Sequence, residues 1–130
     1  MRAFAILCCF VLSGCSPSID LPPASYVPPS PPSAKAEYDG ANQAAFEEKL
    51  TGSVEISDVR ESDHGPGRYL VCLRGADSSF NSRHTYAVFF ENDDYKGVRM
   101  SVMVDECEKQ SFRPFAYDPA KIVKDKDKSK

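Results

Sequence analysis

Tyr86-Ala87-Val88-Phe89-Phe90-Glu91-Asn92-Asp93-Asp94-Tyr95-Lys96-Gly97-Val98-Arg99-Met100-Ser101-Val102-Met103-Val104 is the stretch that decides the fold. Tyr86, Val88 and Phe90 recur every second residue, as the inward side chains of a strand do. Asn92 to Gly97 supplies the polar, glycine-containing break of a hairpin. Beyond it Val98, Met100, Val102 and Val104 alternate with Arg99, Ser101, Met103 and Asp105. Working back toward the N-terminus, Tyr69, Val71 and Leu73 share one face, the turn His64-Gly65-Pro66-Gly67 precedes them, and Val54 and Ile56 alternate with Glu55 and Ser57. One apolar and one mostly polar face is the pattern of an antiparallel sheet covered on one side.

The cover comes from residues 41–50, where Phe46 and Leu50 lie four apart with Ala45 beside them, a helical spacing. Asp39 or Asn42 can cap its start and Gly52 can end it. A helix this short is marginal alone, so its apolar side must pack on the sheet. The fold class expected is therefore α+β: a short N-terminal helix packed on a small antiparallel sheet of about four strands, in the order α-β-β-β-β, with no internal repeat.

The chain start carries a different message. Met1-Arg2 is followed by an apolar run from Ala3 to Leu12 and by small residues at Ser13 and Gly14. A positive residue, about ten apolar residues and a small-residue cut form a secretory signal peptide, and the run falls short of the roughly 20 residues that span a bilayer. Leu12-Ser13-Gly14-Cys15 resembles the lipobox of bacterial lipoproteins at all four positions. The resemblance covers residues 1–15. It implies removal of residues 1–14, a diacylglyceryl group on the Cys15 sulfur and acylation of the new amine, which makes the membrane a partner through the lipid anchor. Ser16 is compatible with sorting to the outer membrane, facing the periplasm. Three chains hold a protein far more firmly than the reversible binding given by one.

Residues 15–36 then form the lipidated cysteine and a linker holding seven of the chain's ten prolines. Proline fixes φ and removes a hydrogen-bond donor, so an extended spacer reaching about 65 Å is expected, at about 3.1 Å per residue. Residues 37–118 are the folded domain. Residues 119–130, with Lys121, Lys124, Lys126, Lys128 and Lys130 against Asp125 and Asp127, read as a solvated, disordered tail. Such a tail touches anionic cell wall or headgroups weakly at most.

Cys8 and Cys9 leave with the signal and Cys15 takes lipid, so Cys72 and Cys107 remain. An oxidising periplasm makes them a disulfide by default. No Cys-x-x-Cys motif points instead to redox or metal chemistry. In a simple meander the strands carrying them flank a third, about 9–10 Å apart, which is too far to bridge. The segment after Val104 must then bend back over the sheet, or the strand order must differ.

The full chain carries 16 Lys+Arg and 19 Asp+Glu, a net charge of −3. Residues 37–118 hold 9 basic and 16 acidic side chains, a balance of −7. That argues against nucleic acid, whose phosphates need a concentrated positive surface. No cofactor motif, phosphate loop or nucleophile elbow is present. His64 and His84, the only histidines, lack two further ligands at short spacing, and no metal site is expected. The acids around Asn92 could attract Ca²⁺, but lack the spacing of an EF-hand and suit a polar turn. Asp105, Glu106 and Glu108 around Cys107 have the residue type of a paired-carboxylate site and the setting of a solvated edge. Arg74, Arg83 and Arg99 fall on the polar face, where a cluster could grip an anionic polymer or a partner's carboxylates. Pairing with the abundant acids is the plainer account.

The leading expectation is a non-enzymatic interaction or structural module whose partner is another envelope protein or the cell wall. An inhibitor of a hydrolase such as lysozyme is the alternative, since an acidic domain steers toward a basic enzyme. A small hydrolase comes last. The anchor, helix and sheet are similar in architecture to small outer-membrane assembly lipoproteins, with no shared motif.

Overall fold

A computed structural model describes residues 25–77 and 82–128. Residues 1–24, with the signal, Cys15 and the start of the linker, lie outside the described residues.

The described chain opens with neither helix nor strand across Pro28, Pro29, Pro31 and Pro32, where proline removes the donors that both need. Helix α1 then runs from Ala34 to Glu47. Its start is fixed by Ser33, whose hydroxyl accepts the Ala36 N–H at 3.3 Å, the usual work of an N-cap serine. The helix therefore begins earlier than 41–50 and takes in residues assigned to the linker. It also ends sooner. Lys49 takes the left-handed conformation at φ 51°, its N–H bonded to Phe46 O at 3.1 Å, and Leu50 already belongs to the sheet. Gly52, expected to end the helix, sits in a strand at φ 69°, where the pairing register slips between Thr51 and Glu55. That is a glycine-dependent bulge.

The strands are β1 (Leu50–Ser57), β2 (Arg60–Glu61), β3 (Tyr69–Asp77), β4 (Arg83–Glu91), β5 (Asp94–Met100) and β6 (Phe112–Phe115). They form one antiparallel sheet in the order β5-β4-β3-β1-β6, with β2 on a free stretch of β3. The fold is α+β as expected, with more sheet: six strands among the described residues. Val71 faces Val88 and Leu73 faces Tyr86 across β3 and β4. Those side chains, with Val54, Ile56 and Phe90, make the core under α1. Gly40, Ala41, Ala44 and Ala45 are the buried residues of the helix on that side. A Cβ at Gly40 would run into the Phe90 ring, so the small residues set how close the helix lies.

The sheet is covered on both faces, a correction to the one-sided reading. Leu70, Cys72, Ala87 and Phe89 point away from α1 and are fully buried with Cys107 and the partly buried Phe112. The cause is topological. β5 and β6 lie at opposite edges and run in the same direction, so residues 101–111 must cross one whole face. Four strand steps of about 4.8 Å make that width about 19 Å, within reach of the segment.

Of the stretch expected to be a disordered tail, residues 119–128 form helix α2, Pro119–Lys128, and residues 129–130 lie outside the described residues. It is tied to α1 at its start. The Asn42 amide donates to Asp118 O and accepts from Asp118 N, both at 2.8 Å. Lys121 reaches Asp39 and lies 4.6 Å from the centre of the Tyr38 ring. Lys121 first, and Lys35 after it, hold the Asp39 carboxyl below its ordinary range. No described helix is long and apolar enough to cross a membrane.

Candidate functional site

The crossing segment is where the structure departs furthest from the alternating pattern. Val102 and Val104 continue the period of Val98 and Met100, yet the strand ends at Met100, and Ser101 N–H makes a last ladder bond to Thr85 O at 2.8 Å. Residues 103–105 and 107–109 then form two 3₁₀ turns.

Asp105 produces this turn. Its carboxylate is fully buried and takes two parallel bonds from the Arg99 guanidinium, at 2.7 and 2.8 Å. The same group accepts the Val102 N–H at 2.8 Å. A buried carboxylate without such partners would be strongly unfavourable, so the backbone folds around the charge. Arg99 also donates to His64 O at 3.2 Å and lies 5.0 Å from the Phe89 ring centre.

Two further fasteners act beyond Asp105. Arg60 donates to the Asp105 carbonyl and, at 3.2 Å, to the Glu106 carboxylate. Lys109 meets the other Glu106 oxygen at 2.8 Å and, ahead of Arg60, lowers the Glu106 pKa. Glu106 itself is left-handed at φ 52°, which turns the chain toward the sheet. Cys107 then joins Cys72 in a disulfide with 5.6 Å between Cα atoms. The segment bends back as the meander argument required.

Held from below, the loop has no room inside for its own apolar side chains. Met100 is 55 % exposed, Val102 50 %, Met103 85 % and Val104 49 %. Beside Met103 and Val104 opens a cleft of about 730 Å³, bounded by Arg60, Asp63, His64, Glu106, Glu108 and Lys109. The 62–67 loop separates it from a smaller cleft of about 260 Å³ lined in part by Tyr26 and Pro29.

The sequence-chosen residues are distributed as follows. Arg74 and Arg83 converge on Glu55, and Arg74 lies 4.1 Å over the Phe112 ring. The Arg74 hydrogen bond is the main cause of the lowered Glu55 pKa. Arg99 shares their face of the sheet but serves Asp105, so the three arginines do not converge on one point. His64 contacts Asp63 at 3.0 Å and His84 contacts Ser82 at 2.6 Å. Among the described residues no group of three or more His, Cys, Asp or Glu is arranged to hold a metal ion. The turn weighed for Ca²⁺ serves the linker: Asn92 accepts the Ser30 N–H at 2.9 Å and Asp93 accepts the Ser33 N–H at 2.7 Å. With Tyr69 Oη donating to Pro29 O at 3.2 Å, residues 29–33 are fastened to the domain. Of the three acids around Cys107, Asp105 is sealed by Arg99 and Glu106 lies between two cations.

Arg60 and Met103 were not singled out from the sequence. Arg60 carried no signal, because its partner lies 45 positions away; Met103 sat at a polar-face position of an expected strand. The chain matches no known protein family, no curated protein and no solved structure.

Proposed function

We propose that the protein is a lipid-anchored, non-catalytic interaction module of the bacterial envelope, held through Cys15 at the outer membrane facing the periplasm. The loop Met100–Val104 is its contact surface. One observation carries this reading: Val102, Met103 and Val104, three consecutive apolar residues, are 49–85 % exposed on a segment fixed by a buried ion pair, an arginine bridge and a disulfide, with Met100 exposed at the strand end before it. Contiguous exposed apolar surface marks interaction sites, and a loop fixed beforehand loses little entropy when it binds. The anchor rests on Leu12-Ser13-Gly14-Cys15. Because residues 29–33 lie on the domain, the stretch from Cys15 to Pro29 spans at most about 50 Å. The module therefore works close to the membrane.

A convex braced loop also suits insertion into an enzyme cleft, which keeps inhibition of a hydrolase such as lysozyme as the second reading.

The test is made in the native envelope. The mature protein should carry three acyl chains and one disulfide by intact mass, and light cross-linking should give a recurrent partner that Met103→Asp loses. An unlipidated protein overturns the anchor. Capture unchanged by Met103→Asp overturns the assignment of the loop. Slowing of a lysozyme at micromolar concentration, lost in the same variant, would move the reading to inhibition.

A further inference from the structure

We infer that the partner surface for the 100–104 loop is a basic protein segment: an apolar side chain seated against Met103 and Val104, flanked by Lys or Arg facing Asp63 and Glu108. The inference deepens the reading of that loop as a contact surface and rests on it.

Charge at the cleft sets the partner's chemistry. The two cations at the cleft are both committed. Arg60 is held by the Asp105 carbonyl and Glu106, and Lys109 by Glu106. Glu106 is thereby neutralised twice over. Asp63 has only the neighbouring His64 ring, 3.0 Å away and largely exposed, and Glu108 has no ion pair among the described residues. Arg60 and Lys109 against Asp63, Glu106 and Glu108 leave the cleft a net charge of −1, and the two carboxylates outside the Glu106 cluster, Asp63 and Glu108, line it together with the exposed Met103 and Val104.

With α1 and α2 counted whole, residues 34–128 hold 14 basic and 18 acidic side chains, a balance of −4 that adds a long-range field of the same sign. Such a field speeds the approach of cationic partners and discourages anionic ones. An anionic headgroup surface would meet Asp63 and Glu108 with like charge. A second copy would bring the same carboxylates against themselves. Methionine at the centre suits a protein surface of irregular shape, because its unbranched thioether adapts to what it meets.

The experiment places a photo-cross-linking amino acid at position 104 in the full chain, expressed in its own envelope, with the same group at exposed Thr51 as control. The cross-linked peptide is sequenced. The expected product is a segment of another protein carrying an apolar residue within three positions of Lys or Arg. Its yield should fall roughly fivefold with Glu108→Lys, about what one exposed ion pair contributes, and further with Asp63→Lys added. Both positions are exposed, and unchanged thermal melting confirms that the variants fold. Cross-linking to lipid, to a second copy, or to a neutral or acidic segment overturns the basic-partner inference; the last of these leaves the loop as a contact surface. Yield no higher than at position 51 overturns both.

Discussion

Replacing both Cys72 and Cys107 by alanine tests how the crossing segment is held. The bond closes a loop of 35 residues. Treating its effect as lost entropy of the unfolded chain gives about 3.8 kcal/mol at 25 °C. Both sulfurs are buried, and alanine puts no unpaired hydroxyl there. A domain of this size holds only about 3–5 kcal/mol in a core without staples, so the variant should fold with about that margin alone. The assay is urea unfolding followed by circular dichroism. With a slope of about 1 kcal/mol per molar, the midpoint should drop by about 3–4 M. Amide exchange should speed first in residues 101–110, whose other ties are Asp105 and Arg60. A midpoint within about 1 M of the parent would refute the reasoning: the ion pairs alone would then hold the crossing, and the staple would be secondary.

Removing the carboxylate with Asp105→Ala leaves Val102 N–H and the Arg99 guanidinium without their acceptor. The loss should be about 3 kcal/mol by urea unfolding, and a change below 1 kcal/mol would show that the turn forms without the charge. Gly67→Ala should cost about 2–3 kcal/mol, since its Cβ would meet the Phe90 backbone carbonyl; Gly52→Ala, with open space but φ 69°, should cost only about 1–2 kcal/mol, and equal losses would contradict the assignment. Asp39, Glu55 and Glu106 have lowered pKa values in the fold, so their contribution is present above the ordinary values of 3.8 and 4.5 and is lost as pH falls further. Thermal melts between pH 6 and 2.5 should show that loss, and Asp39→Asn should flatten part of it. Tyr95 is pushed the other way, mainly by burial and then by its bond to Glu47. Its contribution is full below pH 10 and declines above it as the unfolded chain ionises, a decline that Tyr95→Phe should remove.

The face toward α1 was legible because Tyr69, Val71, Leu73, Tyr86, Val88 and Phe90 alternate cleanly. The second face had a signal that the alternation concealed. Tyr69-Leu70-Val71-Cys72-Leu73 and Tyr86-Ala87-Val88-Phe89-Phe90 are continuous apolar runs, the mark of strands buried on both sides. Strand β6 was hidden by Pro114, which belongs only on an edge, and β6 is an edge strand. The helix bounds were missed for local reasons: Ser33 follows a proline run, and the left-handed residue closing the helix is Lys49 rather than glycine. The crossing loop was not legible. Its period of two continues through Val102 and Val104, and only the burial of Asp105 against Arg99, with Arg60 reaching in from far along the chain, stops the strand.

That burial bears on function. A connection from β5 to β6 needs only length and polarity, and polar side chains at 102–104 would stay in water at no cost. Here the chain instead spends a buried ion pair and a covalent bond to fix apolar groups outward. Three loop side chains and one cleft fall short of the roughly 1,000 Å² expected of a stable pair, so affinity in solution should be weak. Two features offset this. The fixed loop reduces the ordering cost of binding. On the anchored reading, a tether of at most about 50 Å confines module and membrane-bound partner to one thin layer, and raised effective concentration makes a weak contact sufficient. The same detached domain, released by Cys15→Ser, should then lose most capture of a membrane-bound partner while keeping its fold and its weak affinity for the cross-linked segment as a peptide. Equal capture by anchored and released forms would mean that the loop's own affinity, without the tether, carries the interaction.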